Sequence, residues 1–256
     1  MSRTARTARA LLLTGLVAVL AATGTACSSA SDDADPEQRS FALQGRTLTV
    51  DSDDSTLEIV ASDAHKAGSV QVTRWFDASV VFGDEPEVTW SMKDDRLTLR
   101  TKCSGVVADC SAKHRIEVPR GIAVKVDEDD GSVRARGFAD ALSIHTKDGS
   151  VHVTDSSGPL ELSSDDGSVR AEVASRRVSA RTEDGSVRID LSAVPDRVES
   201  FSDDGSVSIV LPPATYRVTA ESDDGGRKIS VPQDPSSAHV VSARTRDGEI
   251  TVRNAN

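Results

Sequence analysis

The stretch that determines the fold runs from Leu160 to Ala171 and reads LELSSDDGSVRA. Apolar and polar residues alternate on both sides of its Asp-Gly pair, which is typical of two half-buried β-strands joined by a tight turn. Seven such pairs recur at intervals of 18, 18, 18, 20, 20 and 23 residues, and five of them continue as Gly-Ser-Val. The pairs are Asp130-Gly131, Asp148-Gly149, Asp166-Gly167, Asp184-Gly185, Asp204-Gly205, Asp224-Gly225 and Asp247-Gly248.

Alignment of the repeats on the Asp gives mostly apolar columns six and four residues before it, and three and five residues after it. A two-residue turn brings the columns on its two sides onto one face. We expect the Gly to supply a positive φ in this turn, and the Asp to tolerate the left-handed region. Both a paired hairpin and a β-arch within a solenoid coil satisfy this parity.

The repeat predicts an all-β fold. Matching residues at a near-constant period favour a β-solenoid, a β-helix-like stack of two-strand repeats of about 18–20 residues. An antiparallel β-sandwich or meander is the alternative. The repeat region spans 122–256, and its late repeats depart from the pattern at Arg227 and in the long connection 230–239, as expected near a cap.

Residues 41–121 form an irregular β-rich N-terminal part or cap. Most aromatic residues of the chain lie here, and Trp75, Phe76, Phe82 and Trp90 predict a bulkier core. The candidate strands are 46–50, 56–61, 69–76, 87–92, 96–101 and 113–118.

The N-terminus carries an export signal. Residues 1–10 contain three Arg and no acid, an apolar stretch follows over 11–22, and small residues lead to Ala26. This layout predicts a secretory signal peptide over 1–26. The apolar stretch is too short to span a bilayer of ~30 Å as a helix, so we expect no permanent membrane span.

Cys27 follows these small residues, and the stretch resembles a bacterial lipobox, in which the Cys becomes the lipidated first residue of the mature protein. Gly24 departs from the motif, which prefers Leu, Val or Ile at that position. The resemblance implies acylation with chains such as palmitate, and attachment to the extracytoplasmic face of the cell membrane. Ordinary cleavage near Ala26 and release is the alternative. Residues 27–40 would then comprise the lipidated Cys and a flexible acidic tether.

Cys103 and Cys110 remain after Cys27 is assigned to lipid. Outside the cytoplasm we expect a disulfide between them, which would pin a hairpin and contribute about 2–3 kcal/mol. A metal or redox pair is the competing interpretation, although the spacing is not C-x-x-C and no His cluster adjoins it.

Composition and charge exclude several functions. Asp and Glu number 41 against 30 Lys and Arg, and the formal net charge is −11, which argues against a nucleic-acid partner. Acidic pairs at the turns could bind calcium, but Asp is also a common solvent-facing turn residue. We predict no cofactor and no specific metal site, with weak calcium association at most.

Two further kinds of site can be considered. A glycosidase or lyase would need two carboxyls in unequal environments, whereas these carboxyls recur nearly identically in every repeat. His145 and His152 are expected opposite each other across the turn at Asp148-Gly149, where they could begin a zinc or copper site, but no third ligand is evident.

Three motifs point to a family. The Asp-Gly-Ser-Val repeat, the residues Val118-Pro119-Arg120-Gly121 before it, and Arg96-Leu97-Thr98-Leu99 before Cys103 together resemble the bacterial adhesin-like β-strand-repeat family, a domain of unknown function, over roughly residues 45–254. The resemblance implies an envelope role without established catalytic residues. We therefore expect a membrane-anchored lipoprotein that binds an envelope protein or polysaccharide, or acts as a scaffold. An extracellular carbohydrate-active enzyme on a β-helix scaffold is the alternative.

Overall fold

Every regular element in the described residues, 35–64 and 68–255, is a β-strand in this computed structural model. The predicted signal peptide, Cys27 and most of the predicted tether lie outside these ranges. The first seven strands are β1 (Glu37–Ala42), β2 (Thr47–Ser52), β3 (Ser55–Ser62), β4 (Ser69–Gly83), β5 (Glu87–Lys93), β6 (Arg96–Lys102) and β7 (Gly105–Pro119). In the part of the chain that is described, no helix is long and apolar enough to cross a membrane.

The repeat region contributes fourteen further strands. The strands before and within the first five repeats are β8 (Ala123–Glu128), β9 (Val133–Arg136), β10 (Leu142–Thr146), β11 (Val151–Thr154), β12 (Leu160–Ser164), β13 (Val169–Val173), β14 (Arg177–Thr182), β15 (Val187–Leu191), β16 (Arg197–Ser202) and β17 (Val207–Leu211). The last two repeats form β18 (Arg217–Ser222), β19 (Arg227–Ser230), β20 (Val240–Thr245) and β21 (Ile250–Asn254).

Each Asp-Gly turn is an arch between two sheets. The strand before the turn joins a 10-stranded second sheet, and the strand after it joins an 11-stranded first sheet. Repeats pair in parallel and in register, so that Val151 lies between Val133 and Val169. The structure thus confirms the solenoid-like stack and excludes the antiparallel sandwich or meander.

Apolar residues of both sheets fill one continuous core. The Val residues three positions after the first five turn Asp residues show this packing. Each of them is at most 1% exposed: Val133, Val151, Val169, Val187 and Val207. Each fully buried Val contributes roughly 1.5–3 kcal/mol relative to an exposed one. A single repeat would leave half of this surface in water, so its stability depends on its neighbours.

The last repeats do not follow chain order. The spatial order in the second sheet is β16-β20-β18, and in the first sheet β17-β21-β19. The final coil is therefore inserted, and β18 and β19 form the outer edge. Arg227 occupies an inward column position there and donates a hydrogen bond of 3.1 Å to the Ala220 carbonyl. A charge at this position discourages further strand addition, in agreement with the predicted cap.

The N-terminal part is a folded hairpin. β4 pairs with β7 and β5 with β6, both antiparallel, so one long hairpin over 69–119 bends from the first sheet to the second. β4 and β7 run beyond the predicted 69–76 and 113–118. Residues Glu37–Ser40, expected in the tether, belong to β1 and pair with β4.

The aromatic core was predicted only in part. The centroids of the Trp90 and Phe41 rings lie 6.1 Å apart, with the rings edge to face. The Arg74 guanidinium lies 4.4 Å from the centroid of the Trp90 ring. Phe82, however, is 85% exposed, so its assignment to the core is wrong. Phe82 lies in the outer part of the β4–β7 ribbon, where neither strand has a buried face.

The turn glycines are required for clearance. None of them has a positive φ, and neither do the turn Asp residues; positive φ occurs instead at Gly68, Gly121 and Gly137, and at Phe82, Asp94, Asp95 and Asp155. The expectation of a left-handed turn is therefore wrong. A Cβ at Gly149 would lie 2.6 Å from the carbonyl carbon of Gly131 in the preceding coil. Neighbouring arches approach so closely that only hydrogen fits between them.

We predict that Gly167→Ala lowers the free energy of unfolding by about 1–3 kcal/mol, because its methyl group would overlap the Gly149 carbonyl. Gly226→Ala is the matched control. Its Cβ would make an ordinary contact, 3.6 Å from Glu249 Oε2, so a change within about 0.5 kcal/mol is expected. Urea unfolding followed by circular dichroism gives both values. Equal destabilisation by the two substitutions would contradict the clearance argument.

Candidate functional site

The stacked turns form one continuous acidic edge, made of the seven Asp-Gly pairs. Backbone hydrogen bonds connect successive turns: Asp148 N donates to Asp129 O at 3.0 Å, and Asp166 N donates to Lys147 O at 2.9 Å. The predicted turn residues are thus brought together in one row, with the displaced coil placing Asp247 between Asp204 and Asp224.

A ladder of hydroxyl groups supports this edge from inside. The residue two positions before each turn Asp, from the second repeat onward, donates its side-chain hydroxyl to a turn-glycine carbonyl in the adjacent coil. Ser164, for example, donates to Gly149 O at 2.7 Å. The donors are Thr146, Ser164, Thr182, Ser202, Ser222 and Thr245. Sequence reasoning missed their role, although an unbroken Ser/Thr column was the signal.

Neighbouring carboxyls of the row perturb one another. Contact with Asp148 raises the pKa of Asp130 and of Asp166 above the ordinary Asp value. Like charges held this close disfavour ionisation. Basic side chains offset further charge, since Lys147 pairs with Asp129 and Arg246 Nη2 lies 3.4 Å from Asp203 Oδ1. These ion pairs reduce the like-charge repulsion along the edge.

Metal ligation has limited support at this edge. Within 35–64 and 68–255, no group of three or more His, Cys, Asp or Glu side chains is arranged to hold a metal ion. Weak association of calcium with the acidic edge stays a prediction.

The two histidines do not meet. His145 lies on β10 in the second sheet, with Nδ1 3.0 Å from Ser163 Oγ. His152 lies on β11 in the first sheet, with Nε2 3.4 Å from Glu172 Oε1. Because the turn is an arch, their outward directions diverge. The expectation that they lie opposite each other is therefore wrong.

The predicted disulfide joins Cys103 to Cys110. Cys103 follows β6 in the second sheet, and Cys110 lies in β7 of the first sheet. We expected this bond to pin a hairpin, but it does not. It braces the crossing from one sheet to the other at the N-terminal end of the acidic edge.

Glu128 replaces the hydroxyl of the ladder at the first turn. Its side chain is 2% exposed; Oε1 accepts a 3.0 Å hydrogen bond from Ser55 N, and Oε2 has no hydrogen-bond partner among the described residues. Burial raises the pKa of the Glu128 carboxyl to about 7, although the bond from Ser55 opposes the shift. This carboxyl is unlike those of the edge, but no solvent-borne substrate reaches it.

A depression of about 640 Å³ lies over the first sheet, with Asp155, Glu172 and Asp190 in its lining. A hydrogen bond from Arg170 lowers the pKa of Glu172, and Asp190 pairs with Arg188 at 2.9 Å. Among the described residues, no aromatic side chain lines it. The depression therefore lacks the unequal carboxyl pair and the aromatic wall expected of a glycosidase.

One surface feature interrupts the uniform repeats, a basic-aromatic patch of Arg181, Phe201 and Arg244 on the second sheet. These residues are neighbours in register on β14, β16 and β20. The Arg181 guanidinium lies 5.8 Å from the Phe201 ring centroid. Phe138 and Tyr216, the other aromatic residues of the repeat region, are buried. The patch is thus the one place on the described repeat surface where an aromatic ring packs against a guanidinium, that of Arg181. Arg244 Nε lies 2.9 Å from Glu221 Oε2.

Comparison with known proteins identifies the class. The chain belongs to the Toastrack DUF4097 family, whose model matches residues 25–253, which confirms the family predicted from the sequence. No curated protein sequence matches the chain.

Two solved structures are similar. A "putative adhesin" from Bacteroides fragilis is 13% identical, with 89% of this chain and 100% of that chain covered and a TM-score of 0.52. A "putative cell adhesion protein" from Clostridium sporogenes is 14% identical, with 86% and 100% covered and a TM-score of 0.40. The first similarity supports a shared fold.

We predict that the free energy of unfolding falls as pH rises from about 4.5 to about 7, by about 3 kcal/mol from Glu128 alone. The folded protein keeps this proton up to about pH 7, whereas the unfolded chain releases it near 4.5. Stability from this group is therefore complete below pH 4.5 and is lost as the folded carboxyl ionises.

Glu128→Gln has no such proton, so urea unfolding at several pH values should show the wild-type-minus-variant difference in free energy changing across this window. Glu161→Gln, at an exposed position, is the control and should give a constant difference. A constant difference for Glu128→Gln as well would contradict the assignment.

Proposed function

We propose that this chain is a lipid-anchored extracytoplasmic protein that binds or scaffolds an envelope component without transforming it. The observation that carries the proposal is the in-register stacking of the repeats. Equivalent residues occupy equivalent environments from coil to coil, whereas catalysis needs one constellation unlike the rest. The buried Glu128 and the paired carboxyls of the depression do not supply one.

The basic-aromatic patch is the surface we assign to binding. Guanidinium groups bind carboxylates and phosphates, and stacking on Phe201 holds the guanidinium of Arg181 in position. An anionic envelope polysaccharide, or an acidic protein surface, complements this chemistry. Nucleic acid is disfavoured because the chain as a whole carries a formal charge of −11.

The anchor rests on the N-terminal sequence. Basic residues, an apolar stretch and small residues precede Cys27, and a polar acidic segment separates Cys27 from β1. Acylation there would hold the domain on the outer side of the cell membrane, where the disulfide is stable.

We predict that the purified chain, residues 27–256, is retained by an anionic envelope polysaccharide and releases no new reducing ends from it. The double variant Arg181→Ala/Arg244→Ala should lose about tenfold or more in retention, because two charge-assisted contacts disappear. Arg170→Ala, on the first sheet, is the matched control and should bind as the wild type does. Release of reducing ends would instead support the carbohydrate-active enzyme.

We further predict that Cys27→Ala moves the protein from the membrane fraction to the medium. Mass spectrometry of the wild-type N-terminal peptide should find acyl chains on Cys27. An unmodified peptide that begins near Cys27, together with wild-type protein in the medium, would show that the chain is released instead.

A further inference from the structure

The four large apolar side chains that the described residues leave exposed all lie at one place. Phe82 is 85% exposed, Val106 80%, Val107 61% and Val81 47%. We call these four residues the apolar crest. Isolated apolar residues on a surface need no explanation, but a contiguous exposed group marks a surface that another apolar phase covers.

The crest is a built feature of the folded hairpin. β4 and β7 continue past Phe76 and Ala112, where the inward pattern of β7 begins, and Val81 pairs with Val107 across the ribbon. Phe82 has a φ of 56°, a conformation that is unfavourable for an aromatic residue. The Cys103–Cys110 disulfide braces the crossing from β6 to β7, which leads into this ribbon. The ribbon therefore holds its most exposed aromatic side chain outward at a conformational cost.

A second copy of the chain is a poor occupant for the crest. Stable protein interfaces bury about 800 Å² on each partner, and four side chains supply only part of that area. A membrane contact needs no such area, because it adds to an anchor that already keeps the protein at the surface.

The path of the N-terminus places the crest near such an anchor. β1 runs antiparallel to β4, with Glu37 opposite Arg74. The chain therefore enters β1 from the side toward which β4 runs, and Phe82 lies on that side. Phe82 lies eight residues beyond Arg74, or about 26 Å along a strand. Cys27 lies ten residues before Glu37, or up to about 35 Å of extended chain, so the tether can bring Cys27 level with the crest.

We propose that the apolar crest is a second membrane-contact site that inserts its side chains between lipid headgroups beside the acylated Cys27. The proposal rests on the lipid anchor of the proposed function. The anchor keeps the domain at the membrane, and a second contact beside it strengthens attachment and fixes the orientation of the domain. Asp77, Asp84 and Glu85 lie close to the crest in sequence. Electrostatic attraction to anionic lipids therefore contributes nothing, and zwitterionic vesicles should bind better than anionic ones.

The test uses residues 27–256 carrying Cys27→Ala, so that acylation plays no part. In this background Phe82→Trp places a fluorophore on the crest, and phosphatidylcholine vesicles with brominated acyl chains act as quencher. Phe201→Trp, on the outer face of the second sheet, is the matched control. We expect the fluorescence that Phe82→Trp adds to that of the parent to fall at least twofold on saturation with vesicles. The Phe201→Trp variant and the parent, which carries only the native tryptophans, should change little.

A second variant tests the energetics. Phe82→Asp should weaken co-sedimentation with phosphatidylcholine vesicles by about tenfold or more, since it removes the largest inserted side chain and adds a charge. Its thermal stability should match that of the parent, because Phe82 packs against little of the fold. Quenching of Phe82→Trp no greater than that of Phe201→Trp, or a concentration-dependent dimer lost in Phe82→Asp, would overturn the proposal. Either result leaves acylation of Cys27, which is measured on the wild-type peptide, unaffected.

Discussion

The close approach of successive turns is the constraint on which this structure depends. Parallel strands lie about 4.8 Å apart, so every arch must fit within one strand spacing of the next. Glycine leaves room for the neighbouring carbonyl, and the Ser or Thr two positions before the turn Asp binds that carbonyl from inside. Register follows from this contact, because a slip of one residue would put a side chain into the neighbouring turn and turn the Val columns outward.

The same register concentrates charge and repeats it. Asp130 and Asp166 both lie beside Asp148, and this proximity raises the pKa values of Asp130 and Asp166. Repetition of this kind spreads chemistry evenly along an edge. Distinct chemistry arises only where the repeat is interrupted, as at the buried Glu128, the basic-aromatic patch and the apolar crest. The patch and the crest are the features on which binding and attachment are proposed to depend.

Sequence reasoning reached the repeat region better than the N-terminal hairpin. Alternation marked β12 and β13 because each has one buried and one exposed face. The outer parts of β4 and β7 have no buried face, so their residues carry no alternation. The predicted β4 therefore ended too early, and the predicted β7 began too late. The assignment of Phe82 to the core fails for the same reason, since its apolar character is local information and its exposure is not.

In the repeat region the sequence by itself determined the strands, their inward faces and the positions of the turns, because side-chain alternation and Asp-Gly punctuation are local properties of the chain. Only the tertiary structure decided whether each turn was a hairpin or an arch, since both obey the same parity. That choice separated His145 from His152 and made clearance, rather than a positive φ, the reason for each turn glycine. The tertiary structure also decided that β20 and β21 lie beside β16 and β17. Equivalent repeats offer nearly equivalent pairing partners, so the sequence pattern does not distinguish this order from chain order.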